Sequence, residues 1–219
     1  MPLQQKQLLK MMLPSEQARS MMFHTAFLMH KAKQGDADAA KCVRVLTPLI
    51  KFRACRDARK VTGDAMEIRG GCGYIEEWSD PRVVRDAHLG SIWEGTSNIV
   101  ALDVMRAIKR NQAMEFLSTY LQRLLSESTL PTESSQLLAA KLADVVAFVG
   151  QVAEAEDEQD TRKAASALYH ICTAIMMAWE ASRLKNEGWA RLAWAHLVVR
   201  YRLSAYDPLH VDNQASQKS

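Results

Sequence analysis

Apolar residues recur at helical spacing along almost the whole chain. After Pro14-Ser15, a stripe of Ala18, Met21, Met22, Ala26 and Met29 marks one face of a first helix. The Ser15 hydroxyl is suited to accept a bond from a first-turn amide and so to cap it. Gly35-Asp36 ends that helix and caps a second, which runs towards Arg69. Pro48 lies inside the second helix, lacks an amide donor, and predicts a kink or split there. Gly70-Gly71-Cys72-Gly73 is a break, and Ser79-Asp80-Pro81 opens a short helix with proline in its first turn. A long helix starts near Ser97, turns Ile99, Leu102, Met105 and Ile108 inward, and continues with a bend near Asn111 to about Leu125. Ser126 to Pro131 reads as a linker.

Two further stripes follow, Leu138, Leu142, Val145, Val149 and Val152, then Leu168, Ile171, Cys172, Ile175 and Trp179 behind a capping Asp160. Gly188 separates the second from a last helix carrying Trp189, Leu192, Ala193 and Leu197, and the tail after Pro208 is polar and expected to be disordered. No segment alternates as a strand would. The pattern predicts an all-α fold, an antiparallel helical bundle over residues 1–112 with an accessory helical bundle at 113–207 and a disordered tail at 208–219.

Composition adds little to that picture and excludes several alternatives. The chain has 219 residues, 48% hydrophobic and 24% charged, an ordinary globular balance. A formal charge of +3 does not by itself argue for nucleic acid. Cys42, Cys55, Cys72 and Cys172 show neither a C-x-x-C pair nor zinc spacing, so reduced thiols are expected. The longest apolar run considered, Ile171 to Trp179, is too short for the ~20 residues of a membrane span. The N-terminus lacks the apolar core of a signal peptide. A cytoplasmic protein with no membrane association is expected. The acidic run Glu154 to Asp160 lacks the glycine and terminal glutamate of a calcium loop, and the histidines are scattered, so no metal site is expected.

The densest chemical signal lies between Ala65 and Asn98. Three glycines in four residues end a helix, a shape that lets a backbone or phosphate approach closely. About twenty residues on, Ile92-Trp93-Glu94-Gly95-Thr96-Ser97-Asn98 opens another helix, whose first amides and partial positive charge suit an anionic or polarised group. Glu94 stands beside those donors and an aromatic ring, where a carboxylate can serve as a base. Lys51, Arg53, Arg56, Arg59 and Lys60 form a basic cluster, read either as a phosphate or nucleic-acid contact or as a solvated or subunit-facing stripe.

The ordered set Gly70-Gly71-Cys72-Gly73-Tyr74, Pro81-x-x-x-Arg85-Asp86 and Ile92-Trp93-Glu94-Gly95-Thr96-Ser97-Asn98-Ile99 closely resembles the C-terminal signature of acyl-CoA dehydrogenases. The resemblance covers about Pro14 to Arg110. Leu46-Thr47-Pro48-Leu49-Ile50-Lys51-Phe52, Cys55, Glu67 and Glu76-Glu77 look most like the branch of alkylation-response homologues.

The resemblance implies an FAD-dependent oxidoreductase that α,β-dehydrogenates an acyl-CoA thioester. Glu94 is then the base that removes the α-proton, and its amide binds the thioester carbonyl. Gly95 and Trp93 match substrate-lining positions. Thr96 and Asn98 match flavin contacts, and Gly70 and Gly71 meet the FAD of a neighbouring subunit. Glu67 stands where many members have glutamine, with Arg69 as a nearby cation. A homo-oligomer follows from the same resemblance. The family's N-terminal helical and middle β domains are expected to be absent, so this chain alone is expected to bind FAD weakly or not at all. Two alternatives stay open: a non-catalytic interaction module, nucleic-acid associated as in the alkylation-response branch, and an inactive gene fragment or half of a split enzyme.

Overall fold

Only Gln34 to Asp36 separate two helices of 32 residues each, α1 (Pro2–Lys33) and α2 (Ala37–Ile68), which pack against each other as an antiparallel hairpin. Gly35 makes the corner at φ +96°, and the Asp36 carboxylate accepts a bond from the Ala39 amide at 2.9 Å. This computed structural model describes residues 1–155, 157–186 and 188–205, with Asn111 described by its backbone alone. The expected disordered tail at 208–219 lies outside the described residues.

Both prolines are absorbed rather than obeyed. α1 begins twelve residues ahead of Pro14, and Ser15 caps nothing; its hydroxyl donates to the Met11 carbonyl at 3.2 Å. α2 passes Pro48 without splitting. Each proline removes one amide, but Pro14, Pro48 and their neighbours Leu13 and Leu49 are buried in the core. Packing on both helices outweighs one lost hydrogen bond of about 1 kcal/mol.

The remaining helices are α3 (Gly71–Tyr74), α4 (Asp80–Leu89), α5 (Ser97–Asn111), α6 (Ala113–Ser126), α7 (Thr132–Glu154), α8 (Thr161–Ala181) and α9 (Gly188–Val198), the last running into a π-helical turn at Val199–Leu203. No strand occurs among the described residues, and the fold is all-α. The bend expected near Asn111 is a full break, because Gln112 takes a left-handed conformation at φ +48° between α5 and α6. Asp160 stands at the start of α8 but its side chain makes no capping bond.

α8 is the axis of the assembly. It touches α1, α2, α5, α6, α7 and α9, and Leu168 to Ala178 are buried without interruption. The predicted stripe on this helix is therefore only one side of an element apolar all round. A single hydrophobic cluster runs from Leu13 to Val199 across both halves of the chain. α7 is long and apolar enough by length and composition to cross a membrane, whereas the run considered in the sequence is not. Its Leu138, Leu142, Val145, Val149 and Ala153 are buried in the bundle.

α1 departs from the pattern. Its buried side is Leu13, Gln17, Ser20, Met21, His24 and Leu28, while Met22, Met29, Phe23 and Phe27 face outward. Of the predicted stripe only Met21 is fully buried. The inward polar side chains reach partners on other helices, with Gln17 Oε1 left without one among the described residues. Gln17 Nε2 lies 2.9 Å from His170 Nδ1 and donates to the Thr173 hydroxyl at 2.7 Å, and His24 Nδ1 meets the Tyr120 hydroxyl at 2.7 Å. Arg191 of α9 donates to Glu180 at 2.5 Å and also reaches Glu16 and the Ser20 hydroxyl.

Candidate functional site

The end of α2 and the segment after it are shaped by glycine. Gly70 takes φ +62°, and a Cβ added at Gly70 or Gly71 would meet nothing within 4 Å. Gly73 is different: a Cβ there would stand 2.1 Å from the Met66 carbonyl oxygen, so only glycine lets α3 fold against the end of α2. Two ion pairs hold the corner, Arg69 to Asp80 at 3.3 Å and a two-pronged pair from Arg85 to Glu76 at 2.7 and 3.2 Å. Arg69 is thus engaged by Asp80 and also lies over the Trp78 ring. Glu67, Gly70 and Gly71 are all exposed.

The second candidate region is the turn between α4 and α5. Ile92 and Trp93 amides both donate to the Leu89 carbonyl, at 2.9 and 3.2 Å. Then Glu94 takes φ +53° and Gly95 φ +108°. A glutamate in this left-handed region costs about 1–3 kcal/mol, which the surrounding structure must sustain. Thr96 is extended and caps α5 without a side-chain bond, and the first helical bond is from the Val100 amide to the Thr96 carbonyl. From Glu94 to Ile99, six successive amides have no acceptor among the described residues. They lie at the positive end of α5.

Glu94 itself is exposed, as are Thr96 and Asn98, and Gly95 is half-buried. Trp93 is 58% and Ile92 62% exposed, large apolar groups on the surface beside a carboxylate. The Asn98 side-chain oxygen accepts from Arg162 at 3.3 Å, which joins this turn to α8.

The two regions do not meet within one chain. Lys51 Nζ donates to the Gly90 carbonyl at 2.5 Å, and Cys55 packs on Gly90, so the turn after α4 lies beside the middle of α2. Gly70 follows the far end of α2, and a rise of ~1.5 Å per residue puts the glycine corner roughly 20–30 Å along the helix from Lys51. Glu94, Trp93, Gly95, Thr96 and Asn98 stand together in one region, and Glu67, Gly70 and Gly71 in another.

The basic cluster also separates. Arg53 pairs with Asp57 at 2.8 Å and Lys60 with Asp64 at 2.8 Å on the same helix, and Arg56 lies over the Phe52 ring. Burial pushes the Cys42 thiol up to about 12, and Cys172 is driven higher still by the same cause, so neither is a thiolate nucleophile at neutral pH. His196 bonds the Ser134 hydroxyl at 3.0 Å and ties α9 to α7. The buried polar seam of Gln17, His24, His170, Glu180 and Arg191 had no motif to announce it. Its only sequence signal was polar residues falling at helical spacing on α1.

Residues 1–109 match the family model described as acyl-CoA dehydrogenase, C-terminal domain. The putative acyl-CoA dehydrogenase AidB of Escherichia coli is 38% identical over 113 residues, 50% of this chain and 21% of that protein. Acyl-CoA dehydrogenase family member 11 of Caenorhabditis elegans is 32% identical over 146 residues, 65% of this chain and 23% of that protein. The matches thus span about a fifth of the length of these relatives. Among solved structures, C. elegans ACDH-11 in complex with C11-CoA superposes with TM-score 0.81 at 22% identity, covering 90% of this chain and 36% of that one. An acyl-CoA dehydrogenase complexed with FAD from Bacillus anthracis gives TM-score 0.67 at 18% identity, covering 92% and 40%. At these identities the two structures speak for the fold alone. With the glycine corner, the Arg85 tie and the Glu94 turn in the order of the signature, residues 1–109 belong to the acyl-CoA dehydrogenase family as its C-terminal domain.

Proposed function

We propose that this chain is the C-terminal part of an FAD-dependent acyl-CoA dehydrogenase-like oxidoreductase, with Glu94 as the base in α,β-dehydrogenation of an acyl-CoA thioester. The reading rests on one observation: the strained Glu94 opens a run of six unpaired amides at the start of α5. A carboxylate beside free donors can take a proton while the donors hold the oxygen on which charge develops. Glu94 Oε accepts the proton from the carbon α to the thioester. The Glu94 amide donates to the thioester oxygen, a bond that strengthens as the enolate forms. Trp93 and Gly95 line the acyl group on either side.

The open space at Gly70 and Gly71 and the uncommitted donors at Thr96 and in the first turn of α5 suit the phosphate and sugar-chain parts of FAD. When bound, FAD supplies the acceptor for the β-hydride. Thr96 and Asn98 would hold it at one end and Gly70 and Gly71 at the other, with Glu67 alongside. Because these two groups lie far apart on one chain, each cofactor would be shared between two copies, which makes a homo-oligomer part of the reading. The C. elegans relative is named acyl-CoA dehydrogenase family member 11, and ACDH-11 of that organism was solved with C11-CoA, which supports an acyl-CoA substrate.

The test is Glu94→Gln in the FAD-loaded protein, assayed by dye-linked acyl-CoA oxidation. Loss of a general base lowers turnover by about 10²–10⁴-fold, with flavin content unchanged. Undiminished turnover would remove Glu94 from the chemistry. A complete protein, with whatever flanks this chain, that takes up neither flavin nor acyl-CoA would favour the non-catalytic interaction module instead.

A further inference from the structure

We propose that Lys51 is a positioning residue for the Glu94 turn, acting through the carbonyl of Gly90. The inference rests on the reading of Glu94 as the base. In sequence Lys51 sits in a basic cluster, but its neighbours Arg53 and Lys60 spend their charge on Asp57 and Asp64 of the same helix. Lys51 reaches off α2 towards the end of α4, half-buried, and donates to the Gly90 carbonyl at 2.5 Å, while Arg53 also touches the Ser166 hydroxyl of α8. Gly90 is the residue after α4, where an unpaired carbonyl would otherwise point away from the helix end. One turn further along α2, the Cys55 sulfur lies 3.5 Å from where a Gly90 Cβ would stand, so the same two turns of α2 hold this junction from beneath.

The clamp stands where the turn needs support. Beyond Trp93 the backbone makes no hydrogen bond until Val100 donates to Thr96, and it takes left-handed conformations at Glu94 and Gly95. The exit of the turn is fixed by α5. Its entry is fixed by the end of α4, which Lys51 fastens to α2. A charge-assisted bond is stronger than one between neutral partners, which suits the restraint of a strained segment. Lys51 thereby sets where the Glu94 carboxylate stands relative to the amides of α5.

The test compares Lys51→Met and Lys51→Arg with the parent chain by amide hydrogen exchange, resolved at Ile92 and Trp93 and referenced to Ile171 to Met177 in α8. Lys51→Met is expected to speed exchange at Ile92 and Trp93 by about tenfold or more while the α8 amides keep their rates. Lys51→Arg, which retains a cationic donor, is expected to restore most of the protection. Unchanged exchange at Ile92 and Trp93, equal acceleration in α8, or failure of the arginine variant to restore protection would overturn the proposal. The readout needs neither flavin nor thioester. The exchange result therefore reports on the Lys51–Gly90 contact whether or not Glu94 is the base, so failure of the clamp and failure of the Glu94 reading are distinguishable.

Discussion

Replacing Arg191 by methionine should expose how strongly the two halves of the chain depend on one buried cation. The guanidinium is 6% exposed and holds Glu180 of α8 at 2.5 Å, with Glu16 and Ser20 of α1 as further acceptors. Methionine keeps the bulk and removes the charge, leaving Glu16 with Arg19 and Glu180 with His24 and Ser20 as their remaining partners. Breaking a buried pair by removing one partner costs about 3–5 kcal/mol. Glu16 and Glu180 are 19% and 21% exposed, so water reaches them in part and the lower end, about 3 kcal/mol, applies. With a urea slope near 2–3 kcal/mol/M, the unfolding midpoint should fall by about 1–1.5 M at pH 7.

The deficit should depend on pH. Burial opposes the charge on Glu180, but hydrogen bonds from His24, Arg191 and Ser20 outweigh it and hold the carboxyl below its usual range. A depressed carboxylate contributes stability above its unfolded pKa of about 4.3 and loses it as pH falls through the folded value. In the variant the share that Arg191 supplies is gone while His24 and Ser20 remain, so the gap between the two proteins should narrow as pH falls through and below about 4. Urea unfolding followed by circular dichroism at pH 7 and near pH 4 measures both effects. A loss under about 1 kcal/mol at pH 7, or one that stays constant with pH, would refute the account of Arg191 as a buried structural cation.

Other outcomes follow from the same coordinates. Gly73→Ala drives a methyl into the Met66 carbonyl, 2.1 Å away, and should cost about 1–3 kcal/mol by calorimetry. Gly71→Ala, which meets open space, should change stability by less than about 0.5 kcal/mol. His170 is held well below the ordinary imidazole range, by burial first and then by the Arg53 and Arg202 cations. Since the unfolded chain takes up that proton near pH 6.5 and the native chain does not, stability should be full above about pH 6.5 and decline below it. His170→Gln should flatten that decline, seen as a smaller difference between urea midpoints at pH 7.5 and 5.5.

Periodicity alone determined that the chain is helical, because Leu138 to Val152 and Leu168 to Trp179 repeat at a spacing no strand could use. Gly35-Asp36, Ser79-Asp80-Pro81, the Ser126–Pro131 linker and Gly188 all mark real element ends, since caps and breakers act through local backbone chemistry. The glycine corner and the Trp93-Glu94-Gly95 turn were legible as motifs for the same reason. What periodicity could not decide is which face of α1 turns inward. Its outward side carries Met22, Phe23, Phe27 and Met29 while its inward side carries Gln17, Ser20 and His24, and those polar groups are stable there only because His170, Thr173, Glu180 and Tyr120 arrive from helices far along the chain to pair with them. Nor could sequence tell that Lys51 leaves its basic cluster for Gly90, or that the glycine corner and the Glu94 turn stand at different places along α2. Local propensity is written into neighbouring residues; pairing partners and distances between motifs exist only once the helices have packed.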